Sequence, residues 1–183
     1  MTSDKQRDHQ AKQHAGREDL TGEHRLGDSV QLILLVIFLA VWILDSFVLG
    51  FSTFLSESVA WFIRFPLGVI LLIFTFFLER SGLKTVFGKP QETPHVITGG
   101  AFSVVRHPIY LGAILGYAGM ICMTLSLASA ALLVIIIAFY WYISRYEEKL
   151  LTQRFGDEYR EYMKKVPMLF PIKFKHDKDY LSR

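Results

Sequence analysis

A run of 37 residues without a formal charge, 108–144, constrains this chain more than any other feature of its sequence. At 1.5 Å per residue one helix of that length would reach about 55 Å, whereas the hydrocarbon core of a bilayer is about 30 Å thick. The run must therefore fold back on itself. Its least apolar stretch is 124–129, so the sequence predicts a tight hairpin of two short membrane spans, 109–123 and 130–143.

Two further apolar stretches precede this hairpin. Residues 29–56 contain Asp45 as their only charge, and 58–78 are interrupted only by Arg64 and Pro66. Each is long enough to cross a bilayer, and 51% of the chain is hydrophobic. We therefore expect an all-α integral membrane protein with about four transmembrane helices. Because a charge inside a membrane is costly unless it is paired, we also expect Asp45 and Arg64 to approach each other.

The remaining segments are polar and set the expected domain organisation. Residues 1–28 predict a disordered tail, 29–79 two transmembrane helices, and 80–183 a core that begins with a loop over 81–107. Lys and Arg number 5 in 1–28, 4 in 80–106 and 10 from residue 145 onward, and the connections at 52–58 and 125–129 contain none. By the positive-inside rule, both termini and the 80–107 loop face the cytosol.

The C-terminal segment carries a helical periodicity. Its large side chains recur at steps of 4, 4, 3 and 4 residues: Leu151, Phe155, Tyr159, Tyr162 and Val166. This spacing predicts one face of an amphipathic helix, which we expect to lie along the membrane surface and to end at Pro167.

Two polar clusters border the hairpin: RHPIY at 106–110 before its first span, and RYEE at 145–148 after its second. Each has an ordinary explanation, since proline suits the first turn of a helix and charges often flank membrane spans. A tight hairpin, however, returns the chain to the face that it left. We therefore expect the two clusters to meet and to form the functional site.

Several classes of function are not supported by the sequence. A net charge of +3, with basic residues flanking apolar spans, does not indicate nucleic-acid binding. The single cysteine, Cys122, excludes a disulfide within the chain, and no HExxH spacing indicates a metal site. A dinucleotide-type cofactor fold is not indicated either, because the sequence contains no strand followed by a glycine-rich turn.

The combination of RHPIY, EEKLL at 147–151 and FGDEYREY at 155–162 resembles an integral-membrane methyltransferase family. This family includes isoprenylcysteine carboxyl methyltransferase and prokaryotic relatives and is related to phospholipid methyltransferases. The similarity covers about 94–171. It implies S-adenosylmethionine as cofactor in a cytosol-facing pocket, a lipophilic or lipidated acceptor, contact with membrane lipids and a prokaryotic plasma membrane.

The resemblance also implies site residues. Those that would bind the cofactor are His107, Pro108, Ile109, Tyr110 and Glu147, assisted by His95, Val96, Ile97 and Phe102. Arg106, Arg145 and Glu148 would contact the substrate. A carboxylate is a reasonable partner for the cationic groups of the cofactor. No catalytic residue is assigned, because a carboxylate or thiolate nucleophile needs alignment rather than a general base.

Two places depart from the family, the GAFSV run at 100–104 before the RHP motif and Ile143, and the second bears on the acceptor. Prenylcysteine methyltransferases place an arginine for the substrate carboxylate four residues before the glutamate that corresponds to Glu147, and this chain has Ile143 there. We therefore expect weak methylation of a prenylcysteine and partial recovery in Ile143→Arg. The acceptor stays open between an isoprenylcysteine carboxylate, a phospholipid amine and a small thiol. The alternative is a non-catalytic membrane protein that retains the fold as a binding or scaffolding module.

Overall fold

The computed structural model describes residues 25–86 and 95–171. This part of the chain is helical and contains no strand, which confirms the all-α expectation. Its helices are α1 (Arg25–Ile43), α2 (Leu55–Ser58), α3 (Trp61–Val86), α4 (Pro108–Thr124), α5 (Leu127–Phe155) and α6 (Asp157–Lys165). A π-helical segment, Leu44–Leu49, extends α1, and a short 3₁₀ turn, Gly100–Ser103, precedes α4.

Three helical segments are long and apolar enough to cross a membrane: Ser29–Leu49, Trp61–Val86 and Leu127–Phe155. Large apolar side chains are exposed along α1 and α3, as expected where lipid replaces water. The α4 helix is also apolar but has 17 residues, which correspond to about 25 Å. The integral-membrane character is therefore confirmed, and the count of four spans stays a prediction.

The helix boundaries differ from the hydropathy boundaries at several points. The first helix begins at Arg25, inside the segment expected to be a disordered tail, and residues 1–24 of that tail lie outside the described ranges. With its π-helical extension it ends at Leu49, before Gly50, whose φ of 62° only glycine adopts readily, rather than at residue 56. The third and fifth helices run to Val86 and Phe155, beyond the predicted ends at 78 and 143. The length of an apolar stretch reflects the thickness of the bilayer. A helix can continue beyond that stretch into polar surroundings, so hydropathy does not define where it ends.

The C-terminal helix is not continuous, which corrects the sequence prediction. Gly156, with a φ of 55°, separates α5 from α6 in the middle of the predicted helix. The predicted face nevertheless stays together. Tyr159 and Tyr162 are buried against Val96, with Leu151, Phe155 and Val166 packed around them. The association of this segment with a membrane surface stays a prediction.

Close packing of α3 against α4 fixes the centre of the fold. A Cβ atom added at Gly68 would lie 2.7 Å from the carbonyl oxygen of Gly119, so both positions need glycine. Thr75 donates a hydrogen bond of 2.9 Å to the carbonyl of Gly112 across the same interface. Small residues that allow backbones to approach are a common means of helix association in membranes.

The main apolar core lies between α1, α4 and α5 and contains Phe38, Ile114, Tyr117, Ile136, Tyr140 and Ile143. Ile143 is only 6% exposed within it. An arginine at this position would bury an unpaired charge among apolar side chains, which is strongly destabilising. We therefore expect Ile143→Arg to damage the fold rather than to restore carboxylate binding, which reverses the expectation from the sequence.

The expected pair between Asp45 and Arg64 is wrong. Asp45 is buried and accepts hydrogen bonds from the backbone N–H of Ser52 at 2.9 Å and from the hydroxyls of Ser52 and Ser126 at 2.5 Å each. Within 25–86 and 95–171, the buried Nε of Arg64 has no hydrogen-bond partner. Asp45 instead ties the end of the first helix to the turn between α4 and α5, which begins at Leu125.

Candidate functional site

The two polar clusters meet at the open end of the α4–α5 hairpin, as predicted. The hairpin turn uses Leu125 in a left-handed conformation and Ser126, whose side chain caps α5 by accepting from the N–H of Ser129. At the opposite end, α4 begins with Pro108 in its first turn, a position that suits proline because that N–H has no helical partner. This geometry brings the segment before α4 against residues 145–148 of α5.

The outer part of the cluster is formed by His107, Tyr110 and Glu147. The Tyr110 hydroxyl donates a hydrogen bond to Oε1 of Glu147, and Nδ1 of His107 lies 3.4 Å from Oε2 of Glu147. The His107 and Tyr110 rings are parallel, with centroids 5.5 Å apart, and Tyr110 also packs against Tyr140 at 5.1 Å. The Glu147 side chain keeps 15% exposure. It is therefore an oriented carboxylate that a ligand can reach.

The inner part of the cluster is a buried ion pair. Nε of Arg106 lies 2.6 Å from Oε1 of Glu148, and the two side chains are 2% and 7% exposed. Arg106 also donates from a guanidinium nitrogen to the carbonyl of Met163 at 2.8 Å, and its backbone N–H donates to the carbonyl of Pro167 at 2.9 Å. The side chains of the pair thus join the segment before α4, α5 and α6, and the backbone of Arg106 adds a contact with the chain after α6.

His107 lies between both carboxylates. Its Nε2 is 3.5 Å from Oε1 of Glu148, in addition to the contact with Glu147. Burial by itself lowers the pKa of a histidine, but the hydrogen bonds and negative charges of Glu147 and Glu148 outweigh it and raise the pKa of His107 above its usual value. With His107 protonated, two cations face two carboxylates, so the cluster is electrically balanced.

Two other residues implied for the cofactor, Val96 and Phe102, contact α6. Val96 is buried beside Tyr159, and its N–H donates to Glu158 at 3.0 Å. The carbonyl of Phe102 accepts a hydrogen bond of 2.6 Å from the Tyr162 hydroxyl. Ile97 is half-buried. These contacts hold the segment before α4 in place against the C-terminal helix.

The remaining implied residues are dispersed. His95 is exposed, and Pro108 is fully buried. The guanidinium of Arg145 lies 5.3 Å from the ring centroid of Trp141, one helical turn back along α5. Arg106 and Glu148, implied for the substrate, bind each other. The structure thus groups His107, Tyr110 and Glu147 and places the Arg145 guanidinium against the Trp141 ring.

A cavity of about 470 Å³ adjoins this cluster between α1, α3, α4 and α5. Its lining comprises Gln31, Leu32, Leu35, Leu72, Thr75, Glu79, Ile109, Tyr110, Ala113, Gly116, Tyr117, Met120 and Tyr140. Of the implied site residues, Ile109 and Tyr110 contribute to it. Sequence reasoning missed Glu79, which ends an apolar stretch and therefore resembles a simple span boundary. Glu79 lies one helical turn after Thr75, and both residues face glycines of α4. This i, i+4 spacing of two polar residues is the sequence signal that could have identified Glu79.

The apolar helices and the polar cluster at the end of their hairpin define an integral membrane protein with a site at one end of its helix bundle. Comparison with known families identifies it further: the chain belongs to the phospholipid methyltransferase family, whose model matches residues 63–158. This match contains all but the first two residues of α3, the hairpin and the entire polar cluster, and it confirms the resemblance.

Three curated relatives show the range of the similarity. Methanethiol S-methyltransferase 1 of Bradyrhizobium diazoefficiens is 30% identical over 132 residues, covering 72% of this chain and 45% of the relative. Protein-S-isoprenylcysteine O-methyltransferase B of Arabidopsis thaliana is 31% identical over 96 residues, 51% of this chain and 48% of its own. Cobalt-zinc-cadmium resistance protein CzcN of Cupriavidus metallidurans is 38% identical over 87 residues, 47% and 39% respectively.

This chain spans about half the length of these relatives or less. No solved structure matches it. In the parts of the chain that the structure describes, no group of three His, Cys, Asp or Glu side chains is arranged to hold a metal ion.

Proposed function

We propose that this protein is a membrane methyltransferase that transfers a methyl group from S-adenosylmethionine to a lipophilic or membrane-associated acceptor. The observation that carries the proposal is the convergence of His107, Tyr110 and Glu147 beside a cavity within the bundle. The family and the relatives named as methyltransferases support the reaction class.

The residues present fit the proposed cofactor. Glu147 offers a carboxylate that is held by Tyr110 yet partly accessible, which suits the cationic amino and sulfonium groups. Ile109, Tyr110 and Tyr140 provide apolar and aromatic surface next to it for the remainder of the molecule. When bound, S-adenosylmethionine supplies an electrophilic methyl group, so the protein has to align the acceptor and exclude water.

The other cluster residues would position this site. Because the Arg106–Glu148 pair joins three segments of the chain, it would keep His107 and Glu147 in register. Tyr159 and Tyr162 of α6 are buried against Val96 in the segment before α4. Burial raises the pKa of Tyr162 to about 12, so its hydroxyl stays protonated as a hydrogen-bond donor to Phe102. In this proposal α6 shields the segment before α4 and the polar cluster from water.

The orientation of the site follows from the charge distribution. The segments on the side of the cluster carry nearly all of the Lys and Arg residues, and the opposite connections carry none. We therefore propose that both termini and the site face the cytosol, and the family resemblance extends this proposal to a prokaryotic plasma membrane.

Binding of S-adenosylmethionine to the purified chain in detergent, measured by calorimetry, tests the cofactor. Loss of one charge-assisted contact costs about 1.5–3 kcal/mol, so Glu147→Gln should weaken binding by tens of fold without unfolding the protein. Glu161→Gln, which alters an exposed carboxylate of α6, is the matched control and should bind normally. Unchanged affinity in Glu147→Gln would show that this glutamate is only a helix-end charge.

Transfer of a labelled methyl group to a membrane lipid extract tests the reaction itself. Labelled product that requires the protein and disappears in Glu147→Gln supports the enzyme. Cofactor binding without transfer to lipid, thiol or prenylcysteine acceptors would instead support the non-catalytic alternative, a membrane protein that keeps the fold for binding.

A further inference from the structure

Glu79 is a carboxylate for which the proposed cofactor site has no use. It is half-buried in α3 and contributes to the wall of the 470 Å³ cavity, whose other lining side chains carry no charge. In the described parts of the chain it makes no hydrogen bond or ion pair. An ionisable group left unpaired inside a membrane protein is a candidate for function.

The packing of α3 on α4 places the Glu79 carboxylate close to the backbone of α4. A Cβ atom at Gly112 would lie 3.0 Å from Cγ of Glu79, so the absence of a side chain at Gly112 makes room for Glu79. Two residues earlier, Tyr110 lines the same cavity and donates its hydroxyl to Glu147. The cavity wall therefore includes both Glu79 and Tyr110, and Tyr110 holds the proposed cofactor carboxylate.

The cavity is accessible to an apolar molecule. The first helix packs on α5 and α3 packs on α4, but α1 and α3 are not packed closely against each other. The lining residues Leu32 and Leu35 of α1 keep 62% and 37% exposure beside this cleft. A molecule with a hydrocarbon body could enter from the bilayer with its polar head toward Glu79 and Tyr110.

We propose that Glu79 is a catalytic residue that accepts the proton of a protic acceptor, a thiol or an amine with an apolar body. This rests on the proposed methyl transfer. With a thiol, the sulfur electron pair forms the new S–CH₃ bond, and the S–H proton passes to the Glu79 carboxylate. The bond between the methyl carbon and the sulfonium sulfur breaks, and its electron pair stays on that sulfur. An amine enters as an ammonium ion, so a proton first passes from nitrogen to the Glu79 carboxylate. The electron pair that this frees then forms the N–CH₃ bond, and the methyl–sulfonium bond breaks as before.

The same carboxylate selects against an anionic acceptor. Two carboxylates in one apolar cavity repel each other because little water screens them. A carboxylate nucleophile also has no proton to lose, so it would gain nothing from Glu79. A cationic amine or a neutral thiol avoids the repulsion and uses the proton acceptor.

The test compares Glu79→Gln with the wild type, using decanethiol, decylamine and decanoate as acceptors in lipid nanodiscs. General-base catalysis contributes about 10²–10⁴-fold, so thiol and amine turnover should fall at least a hundredfold, with S-adenosylmethionine affinity unchanged. Glu79→Asp, which keeps the charge, should retain part of the activity. Glu57→Gln, an exposed glutamate of α2, is the matched control and should behave as the wild type.

A second measurement does not depend on turnover. Protein without cofactor should bind decylamine more tightly than decanoate, and Glu79→Gln should reduce or remove this preference. Normal thiol and amine turnover in Glu79→Gln, or a wild-type preference for decanoate, would overturn the proposal. If the wild type binds no S-adenosylmethionine, the calorimetry alone shows that the proposed function has failed and the proton-accepting role with it. If Glu79→Gln alone loses the cofactor, Glu79 belongs to the cofactor site instead.

Discussion

Replacing Glu148 by glutamine should strongly destabilise the protein, because it leaves the Arg106 charge buried without its counter-ion. The two side chains are 2% and 7% exposed and 2.6 Å apart, so water cannot take the place of the lost carboxylate. Removing one partner of such a pair costs about 3–5 kcal/mol, equivalent to roughly two to three and a half orders of magnitude in the unfolding equilibrium. The negative charge beside Nε2 of His107 is lost as well.

The assay is equilibrium unfolding in mixed micelles, followed by circular dichroism. Glu161→Gln is the matched control: Glu161 pairs with Lys164 at 2.5 Å, but both side chains are at least half exposed, and exposed pairs contribute little. The double variant Arg106→Met/Glu148→Leu removes both charges and should recover much of the stability. Wild-type stability in Glu148→Gln would refute the reasoning, since it would mean that the Arg106 charge is solvated.

Three further predictions follow from the same structure. The raised pKa of His107 stabilises the fold fully below about pH 6.5, and this contribution should be lost as the pH rises through the raised value; chemical unfolding near about pH 6 and about pH 9 should show a fall that His107→Gln lacks. Gly119→Ala should cost about 1–3 kcal/mol by the same assay, whereas Gly99→Ala, which has open space around it, should be neutral. Truncation after Leu150 should abolish S-adenosylmethionine binding in calorimetry because α6 is lost; normal binding would assign α6 to another role.

The meeting of the two polar clusters could be predicted because it depends only on chain length and bilayer thickness. A run of 37 uncharged residues has to turn, and its ends then return to one face. The break at Gly156 could not be predicted in this way. The spacing of the large side chains, in steps of four and three residues, is the same on both sides of this glycine, so the sequence pattern does not show the break. The structure keeps these side chains together because α6 continues in a direction that places Tyr159 and Tyr162 on the same apolar cluster.

The different contacts of Glu147 and Glu148 could also not be predicted without the structure. Consecutive residues on a helix point about 100° apart, so the two glutamates face in different directions. Sequence alone does not say which of the two faces inward, and the resemblance implied a substrate contact for Glu148. The structure pairs Glu148 with Arg106 and leaves Glu147 to Tyr110 and His107. The missed residue, Glu79, depends on how α3 packs on α4, which hydropathy does not report.

The cations near the site bear on the acceptor. Arg106 is neutralised by Glu148, the Arg145 guanidinium lies against Trp141, and Ile143 is part of the apolar core. The guanidinium groups of this region are therefore already engaged, and Glu79 adds a negative charge to the cavity wall. A carboxylate acceptor that entered the cavity would lose its water without gaining a cationic partner. Desolvating an anion in this way is costly. A neutral thiol has no charge to desolvate, and an ammonium group would gain the Glu79 carboxylate as its counter-ion. The placement of these residues is thus the physical reason for linking Glu79 with a protic acceptor.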